Sequence, residues 1–204
     1  MHSSGETKLF LYDPLENEIV AVPMSFMADS ITALCSIPTS ANVGYASDIL
    51  VLGSDKGQFD ALVFNEAMRF QRKQTFKGPA STVVQVTAMT HFADGAHQGL
   101  AVGYSDSSLR CFDVDAAQAH FAPLELLGEQ QAFPPSPVTT IRWSDDYIIV
   151  AYGSLRNLRR YRTSLKAFQV DHTSRSVRQA AVFNTLDGGS PAIVSALALL
   201  PGIK

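Results

Sequence analysis

Short apolar runs broken by polar turn residues dominate this sequence from end to end. The runs are about four to eight residues long, and Gly, Pro, Asp, Ser and Asn separate them. Clear examples are "DILVLGS" at 48–54, "FDALVF" at 59–64, "GLAVGY" at 99–104 and "LRCFDV" at 109–114. Because long helical periodicity is absent from almost all of the chain, the pattern predicts an all-β protein.

Two segments leave the assignment open. "NEAMRFQRKQTF" at 65–76 and "DVDAAQAHFAPLELLGEQQAF" at 113–133 could each carry a helical turn, although a strand followed by a surface loop fits equally well. The second segment runs into "FPPSP" at 133–137, where the prolines prevent both helix and ladder pairing. We therefore expect a loop there.

An internal repeat of about fifty residues organises these runs. Large apolar residues that lie in corresponding strands recur at Tyr12, Leu62, Phe112 and Tyr161, separated by 50, 50 and 49 positions. A second marker accompanies them as "ITAL" at 31–34, "VTAM" at 86–89 and "VTTI" at 138–141. Each repeat thus contains two strands, a tight polar turn, a third strand and a looser outer segment. The turns "SDKGQ", "SDSS" and "GSLRN" carry the residue types that strand reversals need.

The repeat divides the chain into one domain of successive units. Complete units are predicted at 30–80, 86–133 and 138–172, and partial units at 1–26 and 173–204. Four-stranded units of this length are typical of the blades of a β-propeller. About four blades are present, and we expect a piece of a longer propeller, an incomplete ring, in preference to a closed four-bladed ring.

The stretch "LAVGYSDSSLRCFDV" at 100–114 resembles the second half of a WD repeat, with Phe112 and Asp113 in the place of the family's Trp-Asp pair. A second resemblance covers 161–196, where Asp171 and His172 stand for the family's Gly-His. It implies that residues 177–183 form the innermost strand of the next blade.

The resemblance departs from the family in its polar markers. Tyr12 and Asp13 form the only other pair of an aromatic residue followed by Asp at this place, and no unit has Trp there. His172 is the only candidate for the family's His. The resemblance therefore implies a propeller of antiparallel blades, most of which lack the family's hydrogen-bond network between His and Asp.

Composition and charge exclude several classes of protein. The chain has 204 residues, 46% hydrophobic and 17% charged, as in a folded globular domain. A net charge of -3 gives no overall basic field for nucleic acid or membranes. No run suits a membrane span or a secretory signal. Cys35 and Cys111 lie in apolar runs, which predicts two buried free thiols in an intracellular protein, cytoplasmic or nuclear.

Candidate catalytic and metal-binding chemistry is sparse. The five histidines show no metal-ligand spacing, so no metal or cofactor is expected. His91 and His97 are predicted to be exposed loop residues, and His172 to orient a turn. No phosphate-binding loop or nucleophile motif occurs, and "GYSDS" at 103–107 falls on a predicted hairpin turn. We therefore expect a protein without enzymatic activity.

One basic strip is the candidate binding site. Its residues are Arg156, Arg159, Arg160, Arg162 and Lys166. It could bind an acidic or phosphorylated peptide, a phosphate group or RNA. The alternative is a solvated outer strand with a charged edge that resists aggregation.

The resemblance to WD-repeat proteins implies a non-catalytic scaffold that binds other proteins in a multi-subunit complex. An RNA- or phosphate-binding propeller that uses the basic strip is the alternative, and a propeller hydrolase is a weaker one. No membrane insertion is expected.

Overall fold

A computed structural model of the chain describes residues 9–13, 17–22, 30–39, 48–64, 70–77, 84–95, 97–127, 136–144, 146–153 and 163–185. These residues form fifteen β-strands and no helix. Because the described residues contain no helix, none of them forms a membrane-spanning helix. The prediction of an all-β chain is confirmed for this part of the sequence, and both segments that left a helical turn open contain strands in their described residues.

The strands form one hairpin and three larger sheets. The hairpin consists of β1 (Leu9–Asp13) and β2 (Glu18–Val22). The first sheet has the order β3-β4-β5-β6, built from Ile31–Ile37, Ile49–Ser54, Phe59–Phe64 and Phe70–Phe76. The second sheet has the order β7-β8-β9-β10, built from Val86–Asp94, His97–Tyr104, Leu109–Asp115 and His120–Pro123.

The third sheet has five strands. Its order is β11-β15-β14-β13-β12, built from Glu125–Leu127, Ser176–Thr185, Thr163–Asp171, Tyr147–Tyr152 and Val138–Ser144. All pairings in the three sheets are antiparallel except that of β11 with β15. The described strands therefore form successive four-stranded antiparallel units, the third extended by one parallel strand.

The second sheet lies between the other two, which explains its continuous apolar strands. Side chains alternate between the two faces of a strand. In β8, Leu100 and Val102 face a core shared with the first sheet, whereas Ala101 faces a core shared with the third. Strand β7 packs against both β3 and β12, so β3, β7 and β12 are the neighbouring first strands of their sheets.

The repeated "ITAL", "VTAM" and "VTTI" stretches mark a bulge in each first strand. The pairing register shifts at this point in all three sheets. At two of the bulges the threonine hydroxyl donates to a carbonyl of the second strand: Thr87 to Gly103 (3.1 Å) and Thr139 to Ala151 (3.3 Å). The Thr32 hydroxyl lies 3.3 Å from the corresponding carbonyl of Gly53 and donates to the nearer carbonyl of Val86 (2.6 Å). Bulged residues lose their ladder partner, and the hydroxyls supply one locally.

Close packing between successive sheets depends on small residues in the second strand. A Cβ atom added to Gly53 would lie 2.5 Å from Cγ1 of Val86 in the next sheet. At the corresponding Gly103, the distance to Cγ1 of Val138 would be 2.4 Å. Glycine at these places allows the backbone of one sheet to approach the first strand of the next.

The turns between second and third strands occur where the sequence predicts them. In the first sheet, the amide of Ser54 donates to the carbonyl of Gln58 (2.8 Å), and Gly57 has a φ of 76°. In the second sheet, Tyr104 donates to Ser108 (3.0 Å). Of the predicted turn "GSLRN", only Gly153 lies within the described residues.

The third sheet corrects two sequence interpretations. Leu50 pairs with Leu62 and Leu100 with Phe112, and Ile148 at the same place pairs with Phe168. Phe168 therefore holds the repeat position assigned to Tyr161, which lies outside the described residues. The connection between β13 and β14 is longer than the corresponding connections in the other two sheets. The residue that pairs with Ile148 is therefore Phe168, seven positions after Tyr161.

The prediction that residues 177–183 form an innermost strand is wrong. They lie in β15, which pairs with β14 and is separated from β12 by two strands. The physical reason is the tight turn after Asp171, whose carboxylate accepts hydrogen bonds from the amides of Thr173 (2.9 Å) and Ser174 (3.2 Å). A turn this short returns the chain beside β14, so the third unit continues to Thr185 and does not end at 172.

Candidate functional site

Three side chains with metal-binding or acid-base chemistry meet where the second and third sheets adjoin. They are His97, the first residue of β8, Asp113 in β9, and His172 in the turn after β14. One nitrogen or oxygen atom of each lies within 4.8 Å of those of the others. We call these three residues the His-Asp-His cluster.

Strand pairing places the two members from the second sheet. Asp113 pairs with Gly99, so its side chain shares a face with His97, two residues along β8. A reversal at Gly95, which has a φ of 56°, brings β7 back as β8 and sets His97 opposite Asp94.

His172 is the buried member of the cluster. Its ring stacks on that of His97, with centroids 4.3 Å apart and planes inclined by 13°. The centroid of the Phe92 ring lies 6.4 Å from that of the His172 ring. Only 10% of the His172 side chain is exposed, and neither Nδ1 nor Nε2 finds a hydrogen-bond partner in the described part of the chain. Nδ1 lies 4.0 Å from Oδ1 of Asp113.

The turn that carries His172 is polar and well hydrogen-bonded. The bonds that Asp171 accepts from Ser174, followed by that from Thr173, hold the pKa of this exposed carboxyl below its ordinary value. Asp171 therefore remains ionised at the mouth of the cluster.

A cavity of about 440 Å³ opens beside the cluster. Its wall includes His97 and His172, and Arg178, whose Nη2 donates to Oε1 of Gln169 (2.9 Å). The other lining residues are Asp94, Gln169, Val170, Asp171 and Thr173. The volume suffices for a small ligand or several waters, and two carboxylates face the space.

The predicted basic strip is mostly outside the described residues. This holds for Arg156, Arg159, Arg160 and Arg162. Lys166 is described and is buried, with 6% of its surface exposed, and its Nζ lies 5.4 Å from the centroid of the Tyr152 ring. The expectation of Lys166 in an exposed binding strip is therefore corrected, because its side chain faces inward from the middle of β14.

The repeat residues Leu62 and Phe112 are part of the buried hydrophobic core. Leu62 is fully buried, and Phe112 packs edge to face on Phe59 and Phe76 at 5.2 Å. Asp113, predicted only as the partner of Phe112 in a repeat motif, belongs to the His-Asp-His cluster.

The N-terminal markers lie in the hairpin. Tyr12 is 60% exposed, and its hydroxyl donates to Oδ1 of Asn17 (2.9 Å). Asp13 ends β1, opposite Glu18.

Sequence reasoning missed the cluster because its members are far apart in the chain. Asp113 follows His97 by 16 residues and precedes His172 by 59, and the contact depends on how two sheets pack. His172 does lie in a turn, as predicted, but His97 stacks on it and does not stand alone in a loop. No local spacing marks such a site.

Several other titratable groups among the described residues are buried or half-buried. Cys35 and Cys111 are free and buried, as the sequence predicts, and burial raises the pKa of Cys35 to about 11 and that of Cys111 further still. Burial likewise raises the pKa of Tyr104 to about 12. His91 is half-buried, and desolvation lowers its pKa.

Comparison with known proteins gives a likeness of fold. No protein-family model matches the chain, and no curated protein matches it. Among solved structures, it is similar to Sqt1 of Saccharomyces cerevisiae, with 10% identity and a TM-score of 0.52 over 76% of this chain. The match covers 35% of the Sqt1 chain. At this identity the likeness concerns the fold alone, and it suggests a WD40-like arrangement of strands.

Proposed function

We propose that this protein is a non-catalytic scaffold of the β-propeller type, which presents sheet edges and exposed faces to protein partners in a complex. Successive antiparallel four-stranded sheets and the likeness to Sqt1 support the propeller assignment. A rigid stack of sheets is suited to this role, since loops and edges can vary while the cores between sheets stay fixed.

The exposed apolar face of the β1–β2 hairpin is the observation that carries the proposal. Tyr12 lies opposite Ile19, and Phe10 lies two residues from Tyr12 on the same face. These side chains are 60%, 71% and 55% exposed. A two-stranded hairpin is marginally stable by itself, and a contiguous apolar face of this kind marks an interaction surface.

The test is affinity capture from a native extract at physiological salt. Wild type is compared with a variant that carries Phe10→Ser and Ile19→Ser, and with a control that carries Glu18→Gln. We expect wild type and control to retain the same partner in fixed proportion, and the double variant to lose it with an unchanged circular dichroism spectrum. Recovery of the chain alone, or equal capture by the double variant, contradicts the proposal.

A further inference from the structure

The His-Asp-His cluster has the composition of a transition-metal site. Two imidazole nitrogens and a carboxylate oxygen are ligands that zinc accepts, and zinc sites with three protein ligands keep a fourth position open. We propose that His97, Asp113 and His172 bind one zinc ion. This inference stands apart from the scaffold role, because it rests on other residues than the exposed hairpin face.

The state of His172 is the first argument. A buried imidazole normally donates from one nitrogen and accepts at the other, and leaving both without a partner is costly. His172 is nine-tenths buried, and among the described residues neither of its nitrogens has a hydrogen-bond partner. A metal ion would supply the partner that this side chain lacks.

The distances are the second argument. Tetrahedral zinc with bonds of about 2.0–2.1 Å holds its ligand atoms about 3.3 Å apart. The cluster atoms lie within 4.8 Å of one another, and Nδ1 of His172 is 4.0 Å from the Asp113 carboxylate. A closure of up to about 1.5 Å is within the reach of side-chain rotation, because His97 is exposed and is the first residue of its strand.

The surroundings are the third argument. The cavity of about 440 Å³ adjoins both histidines and leaves room for a water ligand in the fourth position. Asp94 and Asp171 line the same space, and together with Asp113 of the cluster they set three carboxylates against the single positive charge of Arg178. The local field therefore favours a cation over an anion.

The three ligands come from two sheets, so a bound zinc ion would contact both of them. His97 and Asp113 belong to the second sheet, whereas His172 joins two strands of the third. An ion held by all three would tie the sheets together, and it would stabilise the folded state because the unfolded chain has no such site.

Binding is measured on the full-length, tag-free protein after treatment with a chelator. Zinc chloride is titrated in competition with a chromophoric chelator, and cobalt chloride is used as a spectroscopic probe of coordination. We expect one equivalent of zinc, and cobalt absorption bands typical of four or five nitrogen and oxygen ligands.

The key variants are His97→Ala and Asp113→Asn, with His120→Ala as the matched control. His120 is an exposed histidine on β10 of the same sheet, outside the cluster. His97 is itself exposed, so its removal leaves the cores intact even where a His172→Ala variant fails to fold. We expect zinc affinity to fall about tenfold or more in both cluster variants, since loss of even an outer-shell partner costs that much, and to be unchanged in the control.

Thermal unfolding gives the second readout. Zinc should raise the Tm of wild type and of His120→Ala, and should leave the Tm of His97→Ala where it was. Stoichiometric binding that survives His97→Ala and Asp113→Asn overturns the proposal. Failure of wild type to bind zinc or cobalt at micromolar concentration, or equal loss in His120→Ala, overturns it as well.

Discussion

Replacing Gly103 by alanine should destabilise the protein, although the same change at an ordinary strand position stabilises it. The added Cβ would lie 2.4 Å from Cγ1 and 2.7 Å from Cβ of Val138, and 3.1 Å from Cδ1 of Ile141. Carbon atoms in contact prefer about 3.5–4.0 Å. The second and third sheets must therefore separate locally by about 1 Å, because Cβ of Val138 is fixed to its backbone.

The magnitude is the difference between two terms. Glycine inside a strand costs about 0.5–1 kcal/mol relative to alanine, and that term favours the variant. Overpacking of a close-packed core costs about 1–3 kcal/mol, and that term opposes it. Taking the middle of both ranges, we expect Gly103→Ala to lower the free energy of unfolding by about 1 kcal/mol.

Urea unfolding followed by tryptophan fluorescence measures this difference. Trp143 is the only tryptophan, and its Nε1 donates to the carbonyl of Ala93 (3.1 Å), so it reports on the second and third sheets. Gly95→Asn is the control, since that position has open space and a left-handed φ that asparagine tolerates. A Gly103→Ala variant as stable as wild type, or more stable, would refute the close approach of the two sheets.

Three further results are expected. Cys35 and Cys111 should react slowly with Ellman's reagent in the folded protein at about pH 8 and both react in urea, because burial raises both thiol pKa values and disfavours the thiolate. Because desolvation lowers the pKa of His91 in the folded protein, the unfolded chain binds a proton at this imidazole more readily than the folded protein does. The stabilising contribution of the neutral His91 is therefore present above pH 6.5 and is lost as the pH falls below that value. His91→Gln should reduce the fall of the urea midpoint between about pH 7.5 and about pH 5.5. Thr32→Val should cost about 0.5–1.5 kcal/mol in urea unfolding, because the Thr32 hydroxyl donates to the carbonyl of Val86 in the next sheet (2.6 Å), whereas Thr32→Ser should keep most of that bond.

Each of these three has a clear opposing result. Rapid reaction of either thiol in the folded protein would contradict its burial. An unchanged pH dependence in His91→Gln would show that this histidine titrates alike in both states. Equal stability of Thr32→Val and wild type would remove the hydroxyl bond as a link between the first two sheets.

Local pattern predicts the strands and turns well where the chain pairs with its nearest neighbours. The runs around Val51 and Val102 form the second strands of their sheets, and the polar turns after them occur as expected. These features depend on side-chain alternation and turn chemistry, which are visible within about ten residues.

Pairing between distant segments does not follow from the same signals. The apolar residues of β15 suit an inner strand as well as an outer one, and only the hydrogen bonds of the Asp171 turn decide between them. Phe168 likewise replaces Tyr161 in the repeat because extra residues precede β14. The His-Asp-His cluster depends on sheet packing, so neither the spacing of His97 nor that of His172 reveals it.

The parallel pairing of β11 with β15 has a consequence for cooperativity. Arrays whose repeats meet only through side chains can open one unit at a time. Here the amide of Leu124 donates to Cys111 (2.9 Å) in the second sheet, and the next amide, that of Glu125, donates to Arg175 (3.0 Å) in the third. Consecutive backbone bonds thus anchor one segment in two sheets, so amide hydrogens of both are expected to exchange in a single shared opening event, even where the first sheet opens separately.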